Sequence, residues 1–117
     1  ARVISSLAQV HLRTGKVELA EEQARQALDM LHGREDHIDE IGNAQLVLGR
    51  ALLEQDRLDE AEEALSSSEA SFDQLSSTSH RAATWIAQGD LLARRGDDRR
   101  AARQFRRAAE ALQDFHF

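Results

Sequence analysis

The chain has no cysteine and no proline, and it holds only one methionine, one tryptophan and no tyrosine in 117 residues. Without cysteine there is no disulfide, no thiolate metal site and no cysteine nucleophile. Without proline, nothing removes a backbone donor inside a helix. Aromatic residues make up 4% of the chain, so a core must be assembled from leucine and alanine. Lysine is nearly missing too: Lys16 stands alone among the arginines, a bias associated with GC-rich bacterial genomes. No signal peptide and no long apolar run are present, which points to a cytoplasmic protein with no membrane partner. The chain opens on Ala1 rather than methionine, the expectation for a fragment of a larger protein.

Charge is unevenly spread. The formal net charge of −6 divides into −3 for residues 1–41, −5 for residues 42–81 and +2 for residues 82–117. A chain that is acidic over two thirds of its length is a poor general binder of nucleic acid, and no direct nucleic-acid binding is expected.

What is present is a pattern that recurs. Ala8, Gly49 and Gly89 are each followed by a second small residue, Ala20, Ala61 and Ala101, and then by a third, Ala27, Ser68 and Ala108. The three copies are offset by 41 and 40 residues, and a period of roughly 20–50 residues marks a stacked array. Such small residues let helices cross closely, and Ala8 facing Ala20 and Ala27, Gly49 facing Ala61 and Gly89 facing Ala101 are the expected contacts.

The spacing predicts six helices. The first covers about 1–14 and stops at Gly15, where a left-handed residue is cheap; the second covers about 17–32 and stops at Gly33. Asp36 is the expected N-cap of the third, with Asp39 and Glu40 suited to its first turn. Gln55, Asp56 and Arg57 form the next turn, and the fourth helix covers about 58–75. The fifth covers about 80–95 and ends at Gly96, and the sixth covers about 98–115. A helix of about 15 residues is marginal alone in water, so each pair requires a neighbour.

Read with the large residues between the small ones, the copies run Ile4, Leu7, Ala8, His11, Ala20, Ala27; then Gln45, Leu48, Gly49, Leu52, Ala61, Ser68; then Trp85, Gln88, Gly89, Leu92, Ala101, Ala108. In this the sequence resembles the tetratricopeptide repeat family, over essentially its whole length. His32 and Asp73 replace the proline usual at the end of the second helix, and the period exceeds the usual 34. The longer period is similar to a subgroup with repeats of about 40 residues, found in scaffold proteins and in large bacterial transcription regulators. The resemblance implies an all-α fold, a right-handed superhelical solenoid of three antiparallel helix pairs in one domain, with repeats at about 1–34, 42–75 and 82–115. It implies a non-catalytic module whose first helices line a groove for a peptide or protein partner, and no cofactor.

Carried onto this chain, the groove retains Gln9, Arg13, Asn43, Arg50 and Asp90 as groups able to hold a peptide backbone or an acidic side chain. The carboxylate-clamp form of the groove is not expected, because Ser5, Gln9, Val47, Ala83 and Ala87 occupy its positions. The plain alternative for Arg50 and Asp90 is that they pair with each other or with solvent. Arg99, Arg100, Arg103, Arg106 and Arg107 fall within one arc of the sixth helix, a basic patch or, as the favoured reading, a solvated face. Its apolar side, with Phe105, Leu112 and Phe115, has no polar capping helix after it: either the parent protein continues, or this edge forms a homodimer through the C-terminal helix. His37 among Asp36, Asp39 and Glu40 is favoured as part of a solvated helix start over a metal site. No phosphate-binding glycine loop and no metalloprotease or hydrolase motif occurs.

Overall fold

The computed structural model describes residues 2–75 and 77–113, with side chains from Leu7 onward apart from that of Glu35. Six helices follow one another, α1 (Arg2–Arg13), α2 (Val17–Leu31), α3 (Ile38–Glu54), α4 (Leu58–Asp73), α5 (Thr78–Arg94) and α6 (Asp98–Gln113), with no strand among the described residues. They form three antiparallel pairs, α1 with α2, α3 with α4 and α5 with α6, each packed on the next.

The turns within the pairs share one device. Gly15 and Gly96 have φ of 82° and 84°, and Asp56 takes the same left-handed region at 58°. Aspartate tolerates that conformation better than most residues, which is why the second turn works without glycine. In each turn the amide after the left-handed residue bonds back to a carbonyl near the end of the first helix: Lys16 to His11, Arg57 to Leu52 and Asp97 to Leu92.

Two helix starts differ from expectation. Asp36 lies inside a single 3-10 turn, Glu35–His37, and α3 begins after it without a side-chain cap. Helix α5 starts earlier than expected, at Thr78; its flanking Ser77 places its hydroxyl 2.6 Å from His80 Nδ1 instead of capping the backbone.

The partners of the small residues are also different. A Cβ added to Gly49 would stand 2.5 Å from Leu65 Cδ2, and one added to Gly89 would stand 2.6 Å from Phe105 Cε1. Each glycine thus vacates space for a large side chain one turn beyond the alanine expected there. In the first pair the corresponding residues, Ala8 and Ala24, are both small and both fully buried. The main core joins all three pairs: Ala8 and Ala24 meet Val47, Leu48, Leu52, Leu53 and Leu65, which meet Ala87 and Leu91. A second cluster of Ala82, Trp85 and Ala108 lies between α5 and α6.

Of the three consecutive serines in α4, Ser66 and Ser67 are exposed, whereas Ser68 is fully buried. Its hydroxyl donates to the Gly42 carbonyl at 3.1 Å and lies 3.2 Å from the Thr84 hydroxyl, which donates to the His80 carbonyl. Burial of these two polar groups is tolerable because both find acceptors. Beside them the His80 ring stacks on Phe72, centroids 4.9 Å apart.

Candidate functional site

The array has two unlike sides. Helices α1, α3 and α5 touch in succession, while α2, α4 and α6 diverge. The outer side is therefore opened by clefts, whereas on the inner side Val47 and Ala87, both at groove positions, are packed away at 4% and 0% exposed.

On the inner side the structure brings together two of the five expected residues. Arg50 Nη1 on α3 lies 3.4 Å from Asp90 Oδ2 on α5, with both side chains a third or more exposed. Such a pair contributes roughly 0–1 kcal/mol, so a ligand can displace it at little cost. Gln9 and Asn43 are half-buried and Arg13 is exposed, and none of these three side chains has a hydrogen-bond partner among the described residues. At the end of the groove Arg94 is committed elsewhere: its guanidinium donates to the Leu53 carbonyl at 3.1 Å and to Asp56 and Glu54 at 3.2 Å. It ties the end of α5 to the end of α3.

A second set of contacts, not anticipated from sequence, fastens each pair to the next. Glu21 on α2 accepts from Gln55 at 3.0 Å and from Arg57 at 2.8 Å, both in the turn after α3. One repeat later Glu62 on α4 accepts from Arg95, the counterpart of Gln55, at 3.1 Å. The signal was available: an acidic residue and a long donor recur at matching places. Burial acts to raise the Glu21 carboxyl pKa, but hydrogen bonds from Gln55 and Arg25 and the charges of Arg57 and Arg25 outweigh it and hold the group below its ordinary value.

On the outer side a cleft of about 510 Å³ lies between α2 and α4, floored by Leu28, Leu48 and Leu52 and walled by Arg25, Arg57 and Glu63. The corresponding cleft between α4 and α6, about 180 Å³, is lined by Gln88 and Gln104, joined by a 2.9 Å hydrogen bond. Neither cleft is lined by any of the five groove residues.

The arginines of α6 divide by use. Arg107 stands 4.0 Å over the Trp85 ring and 3.7 Å from Glu69, which accepts the Trp85 indole N–H at 2.9 Å. Arg100 pairs with Asp97. Arg99, Arg103 and Arg106, one turn or two apart, have no partner among the described residues. Phe105 and Leu112 are each 38% exposed, and Phe115 lies outside the described residues. His37 Nε2 lies 3.5 Å from Asp36 and its Nδ1 3.9 Å from Glu40. Among the described residues no three such groups converge as a metal site, and no helix is long and apolar enough to cross a membrane.

A family model described as tetratricopeptide repeat matches residues 6–76, the first two helix pairs. The chain belongs to the tetratricopeptide repeat family. The third pair repeats the turn, the glycine and the inter-pair clasp of the second, so the same architecture continues beyond the matched span. No match is found among curated proteins or solved structures. Tetratricopeptide repeats generally act as non-catalytic modules of protein–protein interaction.

Proposed function

We propose that this chain is a non-catalytic module that binds a peptide or protein segment along α1, α3 and α5. Gln9, Arg13, Asn43, Arg50 and Asp90 would supply the polar contacts. The observation that carries this reading is the half-exposed Arg50–Asp90 pair spanning two repeats, beside amide and guanidinium groups with no partner among the described residues. An incoming carboxylate or backbone carbonyl replaces Asp90 at Arg50, and a backbone N–H takes Asp90. The repeat period of about 40 residues supports a parent protein of the bacterial cytoplasm, a transcription regulator in which the 117 residues act as one domain. The test is selection of peptides from a random display library on the purified chain, followed by titration against Arg50→Ala. Loss of most of the affinity supports the groove, and unchanged affinity removes Arg50 from it.

A second reading, a scaffold or self-association domain, is favoured by one comparison between repeats. Leu31, Phe72 and Leu112 occupy the same position of successive pairs, and their exposures are 2%, 0% and 38%. The following pair covers the first two. The α6 edge thus offers an apolar surface of the kind that the array buries at each internal junction, and a homodimer through this helix is one use of it.

A further inference from the structure

Five of the large hydrophobic side chains left exposed belong to the two ends of the array. Leu7, Val10 and Leu19 are 44%, 51% and 37% exposed in the first pair, and Phe105 and Leu112 are 38% exposed in the last. The internal junctions show what such positions do. The counterparts of Leu7 and Leu19 in the second pair, Leu48 and Glu60, face Arg25 and Leu28 of α2 across one cleft. The counterparts of Val10, Ala51 and Leu91, are 0% and 4% exposed, and Leu91 shares the next cleft with Glu62 and Leu65 of α4. Each pair thus presents these positions to the pair before it.

On the opposite edge the last pair carries Ala102, Phe105 and Ala109 where the earlier pairs carry Glu62, Leu65 and Leu28. Ala102 and Ala109 are exposed. The internal junctions mix charged and apolar groups, with Glu60, Glu62 and Arg100 among them. At the two ends Leu7, Val10, Leu19, Ala102, Phe105 and Ala109 make these positions apolar, while Arg106 stands in the place of Arg25, Glu22 in that of Glu63 and Lys16 in that of Arg57. The clasp is incomplete there, since Ala102 replaces the carboxylate and Thr14 the Gln55 donor, while Lys16 keeps the place of Arg57.

We propose that the α1 edge of one copy docks on the α6 edge of a second copy, Leu7, Val10 and Leu19 against Ala102, Phe105 and Ala109, continuing the internal stacking between molecules. This rests on the reading of the α6 edge as an interface, and it replaces a closed two-fold dimer with a head-to-tail contact that leaves each assembly an open end. Arg106 and Glu22, in the places of Arg25 and Glu63, lie at the rim of the contact, where salt screens them, so the apolar association persists in salt rather than dissolving.

The test uses the whole chain and two exposed substitutions that keep helix propensity, Val10→Glu and Ala109→Glu, with helicity confirming the fold of both and Trp85 emission that of the α6 variant. In sedimentation equilibrium the unaltered chain grows in mean mass past the dimer as concentration rises, and growth persists at 0.5 M salt on the order of magnitude at which exposed charges are screened. Each variant alone is monomeric, and an equimolar mixture gives a one-to-one dimer and nothing larger. A V10E variant that still dimerises by itself overturns the head-to-tail contact while leaving α6 as an interface. An unaltered chain that stays monomeric overturns both readings. Association dissolved by salt overturns the proposal in favour of the basic α6 face on an acidic face of another copy. Leu7→Glu and Ala102→Glu repeat the experiment should either first variant lose helicity.

Discussion

Gly49 and Gly89 occupy the same position of successive repeats, yet the same substitution has opposite consequences at the two. Alanine in place of glycine within a helix is favourable by about 0.5–1 kcal/mol through backbone entropy. At Gly49 the new Cβ would lie 2.5 Å from Leu65 Cδ2, 2.7 Å from Leu65 Cγ and 3.5 Å from the Leu65 backbone nitrogen. Leu65 is fully buried in the main core, and forcing an extra methyl against it costs about 1–3 kcal/mol. At Gly89 the clash is with the ring of Phe105, which is 38% exposed and can swing outward. Gly49→Ala is therefore destabilising by about 1–2 kcal/mol net, and Gly89→Ala is neutral or slightly stabilising. Combining Gly49→Ala with Leu65→Ala recreates the Ala8 and Ala24 pair of the first repeat, which the fold already accommodates. In that background the glycine substitution stops being harmful, a favourable coupling of about 1–2 kcal/mol in a double-mutant cycle. Urea unfolding followed by helicity measures the unaltered chain, the three single variants and the double variant. Equal stability changes at Gly49 and Gly89, or a cycle with no coupling, would refute the steric argument.

Three further outcomes follow from the contacts. Glu21→Gln lowers stability by about 1 kcal/mol at pH 7, since it weakens bonds to partly exposed donors. Because the folded-state pKa of Glu21 is depressed, its contribution is present above the ordinary carboxylate value and disappears as pH falls through the lower folded value; the difference between the two proteins, measured by urea titration, closes in acid. Ser68→Ala costs about 1 kcal/mol, because the Gly42 carbonyl and the Thr84 hydroxyl lose a buried partner, whereas exposed Ser67→Ala changes thermal stability little or raises it. Arg107→Ala exposes one side of Trp85 and removes a cation–π contact of about 0.5–1 kcal/mol, read as an emission shift together with a lower urea midpoint.

The helices were legible because their ends are marked: Gly15, Gly33 and Gly96 sit where the chain needs a positive φ, and the repeat carried the placement across the one turn where Asp56 replaces glycine. The start of α3 was not, because Asp36 has the composition of a cap but is absorbed in a 3-10 turn. The contacts of Gly49 and Gly89 were misplaced by one helical turn, since the small residues are the conspicuous ones and the large side chains that fill the space, Leu65 and Phe105, carry no mark of their own. In the site, the pairing of Arg50 with Asp90 was among the alternatives read from sequence. The clasp around Glu21 was not foreseen, because in a chain that is 31% charged a single carboxylate has no distinction until the turn that faces it is known.

Trp85 is the chain's single tryptophan, and it is lodged where the second repeat meets the third, bonded to Glu69 of α4 and covered by Arg107 of α6. Its light therefore comes from one end of the molecule. At the other end, among the described residues, α1 packs on α2 and α3, and two of its large apolar side chains face outward. In an array whose units melt by nearest-neighbour rules, that end can come apart first without the chromophore registering it. A denaturation curve drawn from fluorescence will then lag one drawn from helicity, and the gap between them measures how independently the first repeat folds.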